Sequence, residues 1–538
     1  MANPAQTKAY LVGAGLSSLA AAAFLIKDGA IPGKNIFIFD EQQRPGGSLA
    51  SAGDAAQGYH LGESRFLDTG FNSTWELLSF IPSLAESTRT VKQEIFAFHH
   101  KFVWADSQRL VAEGRRVEDP VLGFSTRDRL DLTELFAVPE DFLLNKRIDE
   151  WFHPGFFQTS FWALWATSFG FLPWHSAVEF KRYLRRFVHL SDGTFSAETE
   201  AFWPQYNLFD SVVRPLVRWL AERGVNFEMD VRVLDLDFKP SEKVKTVQRI
   251  RTSVSGRHDE INVNETDLVF VANGSPAANT SLGGMEEAPS PLTMTSGNMW
   301  RLWEGLATKF NDFGRPEAFT QHPSKTLWES FTVTAMEENF FDLFGKFIGG
   351  EPHVGGFVTL RDSNWLLSVQ VHRQPCFYEQ PEDVGVWQGW ALYPERRGNF
   401  IQKKMSECTG REILTEVLSH FRFMEELLPI LNSSRCLPCL RPYGASALMP
   451  RERGNRPPVV PKGSTNFAFI GPFSEVSHEP AFTLEYSVRS AQMAVYQLLS
   501  LEKPVAAVQR GTHEVGDLLR LYRGLKKGPP QGEPEHRF

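Results

Sequence analysis

Gly13 and Gly15, in the run Ala9–Ser18, are spaced for binding phosphate. Two glycines one residue apart permit a tight turn and let backbone N–H groups approach a pyrophosphate closely. Ser18 takes the third small-residue place, where the following helix must pack closely on a strand. Asp40 closes the apolar run Ile36–Phe39, the place from which a carboxylate accepts hydrogen bonds from a ribose hydroxyl. Gly46, Gly47 and Ser48 follow Pro45 as a second turn whose N–H groups could face a phosphate. These residue types in this order point to a bound dinucleotide. Cys436 and Cys439 form a single C-x-x-C with no second pair or histidine nearby, so they read as structural and no metal site is expected.

The elements that must position these groups follow one another in order. An apolar strand runs into the glycine turn, an Ala-rich helix follows, and a second apolar strand ends on the acid, which is a βαβ unit. The stretch Tyr10–Ile26 could pass for a leader or a membrane span, but no basic region precedes it and Lys27 and Asp28 close it abruptly. Between about residues 85 and 200 the pattern becomes helical and aromatic. Asp210–Arg223 predicts an amphipathic helix ending at Gly224, and strands are expected at Val225–Met229 and Val231–Val233. Asp267–Ala272 predicts a buried strand returning to the cofactor at Asn273, Gly274 and Ser275. Further strands are expected at Gly356–Arg361, Leu366–His372 and Asn466–Ile470, the last followed by Gly471, and a helix at Tyr486–Leu499.

The fold class is therefore α/β, with a Rossmann-like cofactor domain in three pieces, residues 8–90, 205–285 and 455–500. A substrate region of α+β character is inserted as residues 91–204 and 286–454, and residues 505–538 form a C-terminal amphipathic tail. In that tail Val515, Leu518, Leu519, Tyr522 and Leu525 fall at helical spacing beside Arg520, Arg523, Lys526 and Lys527. Such a segment can touch a membrane surface without spanning it, or dock on the protein's own body. The 538-residue chain, 42% hydrophobic, is long enough for two or three domains. Its 44 Phe and 14 Trp suggest an aromatic-lined cavity or a Phe-rich core. A net charge of −8 excludes nucleic acid as an expected partner. Four cysteines form no disulfide framework, so a reducing, cytoplasmic compartment is expected, with peripheral membrane contact through the tail.

Several long motifs together resemble the oleate hydratase family, also called myosin-cross-reactive antigens. They are Tyr10–Gly15, Pro45–Leu49, Ser79–Leu84, Phe161–Trp162, Pro173–Ser176, Arg182–Phe187, Asn273–Ser275, Asp362–Trp365, Glu407–Gly410, Asn466–Gly471 and Phe482–Arg489. The resemblance spans about residues 8 to 500. It implies FAD in the Rossmann-like domain and a long-chain unsaturated fatty acid in an apolar tunnel. The implied reaction adds water across a cis double bond, as in oleate, with no net redox change. It also implies that Tyr183 is the acid that protonates the alkene, and that Gln205, Tyr206 and Asn207 belong to a polar segment lining the cavity or capping the helix near Asp210. Trp174 and His175 are expected as structural parts of the helix that carries Tyr183. The motif set leaves monomer and homodimer both open.

One loop departs from the family. Its flavin-gating segment normally reads Arg-Gly-Gly-Arg-Glu-Met-Glu, with the first Glu activating water. Here Gly62–Asp68 aligns with it, keeping Arg65 but placing Phe66 at that Glu and Asp68 at the second, with the first Arg missing. Water is then activated through Glu63, Asp68 or an ordered polar group, or the scaffold performs another non-redox reaction, such as isomerisation or cyclisation of a polyene. A flavin oxidoreductase and a non-catalytic lipid-binding flavoprotein are the remaining classes.

Overall fold

Five parallel strands form the central sheet of the computed structural model: β1 (Ala9–Val12), β2 (Ile36–Phe39), β3 (Asn226–Glu228), β4 (Leu268–Ala272) and β5 (Phe467–Ile470). They lie side by side in the order β5-β4-β1-β2-β3. The structure describes residues 3–101, 109–117, 122–187, 201–241, 243–291, 297–352 and 357–509. Strands buried on both faces are apolar throughout rather than alternating, as β1 and β5 are. Val12 pairs with both Val271 and Phe39, so β1, β2 and β4 end at one level and their following turns converge. That edge is where parallel α/β sheets bind ligands. Helix α1 (Leu16–Lys27) follows β1, and its run Ala20–Ala23 is fully buried. Small side chains let it lie close between the sheet and the long helix Leu484–Leu498, whose Tyr496 hydroxyl donates to Asp28 at 2.9 Å.

The strands expected from short apolar runs are present within a residue or two of the expected positions, except that the one expected at Val231–Val233 continues to Phe238, held by antiparallel pairing with Val247–Val254. The helix expected at 210–223 begins instead as a wide π turn, Phe209–Val213, and becomes α-helical over Arg214–Glu222. The change falls at Pro215, whose ring nitrogen has no hydrogen to donate.

A second, eight-stranded sheet packs against the cofactor region, built mainly from residues 281–441. Its outer edge is Arg109–Ala112 and Arg115–Arg116, inside the stretch that reads as helical. Four residues are too few to show a period, and this strand is fixed by parallel pairing with Phe357–Leu360, far along the chain. Along Trp328–Ala335, Phe331 and Val333 enter a core closed by the helices Asn339–Ile348 and Gly410–His420. Thr332 and Thr334 face the other way and accept the N–H groups of Leu61 and Tyr59, at 3.0 and 2.8 Å. This tie brings the segment after the second glycine turn onto the sheet. Cys436 and Cys439 are buried on the strand Ser434–Arg441, three residues apart and so on opposite faces.

Helix α2 (Ala177–Phe187) carries Tyr183. Trp174 and His175 are not part of it, contrary to expectation. They form the turn before it, where His175 Nδ1 accepts the Leu172 N–H at 3.0 Å and Trp174 Nε1 donates to the Lys325 carbonyl at 3.0 Å. Burial lowers the His175 pKa to about 4, so the ring is neutral and can accept that bond.

Candidate active site

The turns after β1 and β2 build a cradle. Gly13 has a φ of +95°, and its N–H donates to the Phe39 carbonyl at 2.8 Å. The Gly46 N–H donates to the Ala14 carbonyl at 2.9 Å, which sets the second glycine turn beside the first. A Cβ built on Gly47 would stand 3.2 Å from Gly15 Cα, whereas one built on Gly15 meets nothing within 4 Å. Gly15 therefore faces open space at the N-terminus of α1, where orphan N–H groups and the helix dipole favour an anion. Asp40, Ser48, Gly274, Ser275 and Arg65 line the same space. Asp40 already holds the turn, accepting the Ala14 N–H at 2.6 Å on one oxygen and the Gln42 N–H at 2.8 Å on the other. Burial raises its pKa, and those two N–H groups oppose the rise. Ser18, Asn273 and Gly471 stand behind the cradle wall. Ser18 is fully buried in α1, Asn273 donates to the Phe473 carbonyl at 3.0 Å, and the Gly471 N–H donates to Ser490 Oγ at 2.8 Å.

Beside the cradle lies an aromatic cavity enclosing about 1040 Å³ of atom-free space, its open mouth included. Phe66, Phe169, Tyr183, Phe187, Trp203 and Phe482 line it. The Phe66 ring meets Phe187 edge-on at 5.2 Å, and Phe169 stacks on Phe187 at 5.4 Å. Tyr183 is buried, and its hydroxyl donates to the Ala481 carbonyl at 2.5 Å. Burial pushes its phenol well above the ordinary value, with nearby Arg65 pulling in the opposite direction. Phe482 follows at a φ of +69°, rare for a bulky side chain, and its ring lies 3.9 Å from the Arg65 guanidinium carbon. A second, more polar cavity carries Gln205, Tyr206 and Asn207 with Gln370, His372 and Arg373. Asn207 Oδ1 also accepts the Asp210 N–H at 3.1 Å, so this residue both lines the cavity and caps the following turn.

The cradle and both cavities meet at Arg65, and the two cavities also share Gly62, Glu63 and Ser64. Glu63 is fastened to the second glycine turn twice. Its N–H donates to the Ser48 carbonyl at 2.9 Å, and its Oε2 accepts Ser48 Oγ at 2.8 Å. The same oxygen pairs with Arg65, while Oε1 is buried without a partner. Asp68, by contrast, is held outside the cavities, accepting Arg186 Nη2 at 2.7 Å and the Gly70 N–H at 2.9 Å.

Residues 6–496 match the MCRA family. The chain belongs to that family. Among its relatives, an oleate hydratase from Streptococcus pyogenes serotype M49 (strain NZ131) is 36% identical over 529 residues, covering 96% of this chain and 89% of that protein. A linoleate hydratase from Lactiplantibacillus plantarum is 30% identical over 536 residues, covering 91% of this chain and 93% of that one. The solved cyclohexylamine oxidase from Brevibacterium oxydans IH-35A shares the fold at a TM-score of 0.54 and 14% identity, over 92% of this chain and 100% of that one. The mixed α/β class and Rossmann-type sheet expected from sequence thus agree with both the observed parallel sheet and this likeness.

The structure gathers Gly13, Gly15, Asp40, Gly46, Gly47, Ser48, Arg65, Gly274 and Ser275 around one space, and Tyr183 with Phe66 around the next. Sequence reasoning missed Phe169, Phe187, Trp203 and Arg441 as cavity walls. A signal was available for Phe187, which follows Tyr183 by four residues, one helical turn. None was available for Arg441, brought in by the second sheet.

Proposed function

We propose that this chain is a fatty acid hydratase that holds FAD in the glycine cradle and adds water across a cis double bond of an unsaturated long-chain fatty acid, oleate to hydroxystearate being the type reaction. One observation carries this reading: the cradle and an aromatic cavity holding a buried tyrosine hydroxyl share a wall at Arg65. The two relatives named oleate hydratase and linoleate hydratase support the substrate class. The open space at Gly15, with the N-terminus of α1 and the paired glycine turns around it, suits a pyrophosphate. Gly13, Gly15, Gly46, Gly47 and Ser48 would hold the phosphates, and Asp40 the ribose, through the lone pairs its backbone contacts leave unused. Arg65 would stand at the ring end, where the cradle opens on the cavity. When bound, the flavin would supply an electron-rich planar face beside the reacting carbons, with no net electron transfer.

An isolated alkene has no polar handle, so protonation must build positive charge on carbon. Tyr183 would donate its hydroxyl proton to one alkene carbon, and Arg65 would stabilise the phenolate left behind. The faces of Phe66, Phe169 and Phe187 would turn their negative quadrupoles toward the charge. The polar cavity with Gln205, Tyr206 and Asn207 would receive the hydrophilic end of the substrate. A second reading, isomerisation or cyclisation of a polyene, is favoured by Phe66, which adds a ring to that wall where the family has a carboxylate. Mass spectrometry after incubation with oleate, linoleate and palmitoleate, with FAD oxidised and reduced, separates the two. Products heavier by one water support hydration; an isomer of unchanged mass supports the second reading.

Among the described residues, no helix is long and apolar enough to cross a membrane. The tail residues 510–538 lie outside the described residues. Their spacing of apolar and basic side chains supports a peripheral contact with an anionic membrane surface.

A further inference from the structure

We propose that Glu63 is the base that activates the attacking water, an inference that rests on the hydratase reading. Glu63 lines both the aromatic and the polar cavity, with a side chain only 5% exposed. Its Oε2 is anchored by Ser48 Oγ and Arg65, which leaves Oε1 buried and without a partner. A buried carboxylate oxygen lacking a donor is costly unless a water or ligand supplies one. The anchors come from the cofactor cradle and from the residue all three cavities share, so the carboxylate is fixed relative to any alkene lying there.

The other acids near the site do not serve. Asp68 is paired with Arg186 and bordered by none of the cavities. Glu329 borders the aromatic cavity, but strand alternation sends its side chain with Phe331 and Val333 into the opposite core. Besides Glu329, the charged and titratable groups that share a cavity with Glu63 include Arg65, Arg441 and Tyr183 on the aromatic side and Tyr206, His372 and Arg373 on the polar side. Tyr183, on the wall of the same aromatic cavity, is the matching acid. In the reaction, the Tyr183 O–H bond breaks as its proton forms a C–H bond with the alkene π pair. A water lone pair then forms the C–O bond, and one water proton passes to Glu63 Oε1. The acid form of Glu63 returns that proton to the Tyr183 phenolate through solvent, so atoms and charge balance over the cycle.

The test compares wild type, Glu63→Gln, Glu63→Ala and Glu63→Asp on oleate and linoleate, with flavin content measured for each. Glu63→Gln should lose about 10²–10⁴-fold in kcat with flavin retained and the acidic limb of its pH profile gone. Added formate should restore part of the rate in Glu63→Ala, and Glu63→Asp should keep the limb at reduced rate. Wild-type rates in Glu63→Gln, while wild type hydrates oleate, would overturn this assignment alone. So would a rate lost together with the flavin and not restored by formate, which would make Glu63 part of the cofactor wall. A wild type that hydrates neither acid overturns the assignment together with the reading beneath it.

Discussion

Replacing Tyr183 with Phe removes one oxygen and leaves the ring where it packs, edge-on to Phe171 at 5.0 Å and to Phe169 at 5.4 Å. Two costs follow, and they differ in size. The buried Ala481 carbonyl loses its 2.5 Å donor, a structural penalty of about 1–3 kcal/mol. The reaction loses its proton source, and general acid catalysis typically contributes about 10²–10⁴-fold. At about 1.36 kcal/mol per tenfold, that is about 3–5 kcal/mol on the barrier. The structural penalty is small beside a network that already fastens α2 to the C-terminal region. There Glu179 pairs with Arg456 at 3.0 Å and accepts the Ala481 N–H at 3.4 Å. The variant should therefore fold, carry a normal flavin complement and unfold at slightly lower temperature. Its turnover of oleate or linoleate should fall at least a hundredfold. The assay pairs product formation by mass spectrometry with flavin absorbance and thermal melting on one preparation. Wild-type turnover in Tyr183→Phe would refute the tyrosine as acid, whatever the melting temperature.

Four further outcomes follow. Gly15→Val should fold and melt like flavin-free wild type, because its Cβ meets no protein atom within 4 Å, yet should purify without flavin; normal flavin content would remove the cradle assignment. Phe66→Glu should raise hydration if Glu63 limits water activation; otherwise, a carboxylate set against Phe187 and Trp203 should lower the melting temperature without gain in rate. Acid stability should depend on Glu140, which accepts Arg182 Nη2 at 2.8 Å. Burial would raise its carboxyl, but Arg182 and His478 outweigh that and bring the folded pKa to about 2, against 4.5 unperturbed. Its contribution is thus complete above pH 4.5 and lost as pH falls toward 2, so Glu140→Gln should flatten acid unfolding across that window. Ending the chain after Gln509 keeps the bonds from Arg186 and Arg489 to Gln509 and Ala506, and should reduce binding to anionic vesicles while flavin stays bound; equal binding by both forms would support docking of the tail on the protein body.

The parts legible in sequence are those whose signals are local. Glycine spacing fixes the turns at Gly13–Gly15 and Gly46–Gly47, and short apolar runs announce four of the five strands of the parallel sheet. What sequence could not supply depends on partners distant along the chain. The strand Arg109–Ala112 exists through pairing with Phe357–Leu360, and Tyr59 and Leu61 are drawn to the second sheet by Thr334 and Thr332. Phe66 was legible as a departure from the family, but its packing against Phe187, Phe169 and Trp203 was not. Sequence left Glu63 and Asp68 equal as acids. They part company because Ser48 and Arg65 turn one into the cavity wall, while Arg186 holds the other outside it.

The central claim is that water, and neither dioxygen nor a reductant, supplies what is added to the alkene beside the cradle. Turnover of oleate in water enriched with heavy oxygen, with oxygen consumption followed in the same vessel, tests this directly. A hydroxy acid carrying one heavy oxygen should form without oxygen uptake and without a steady demand for NAD(P)H. An unlabelled oxygenated product, or oxygen uptake that keeps pace with product, would contradict it.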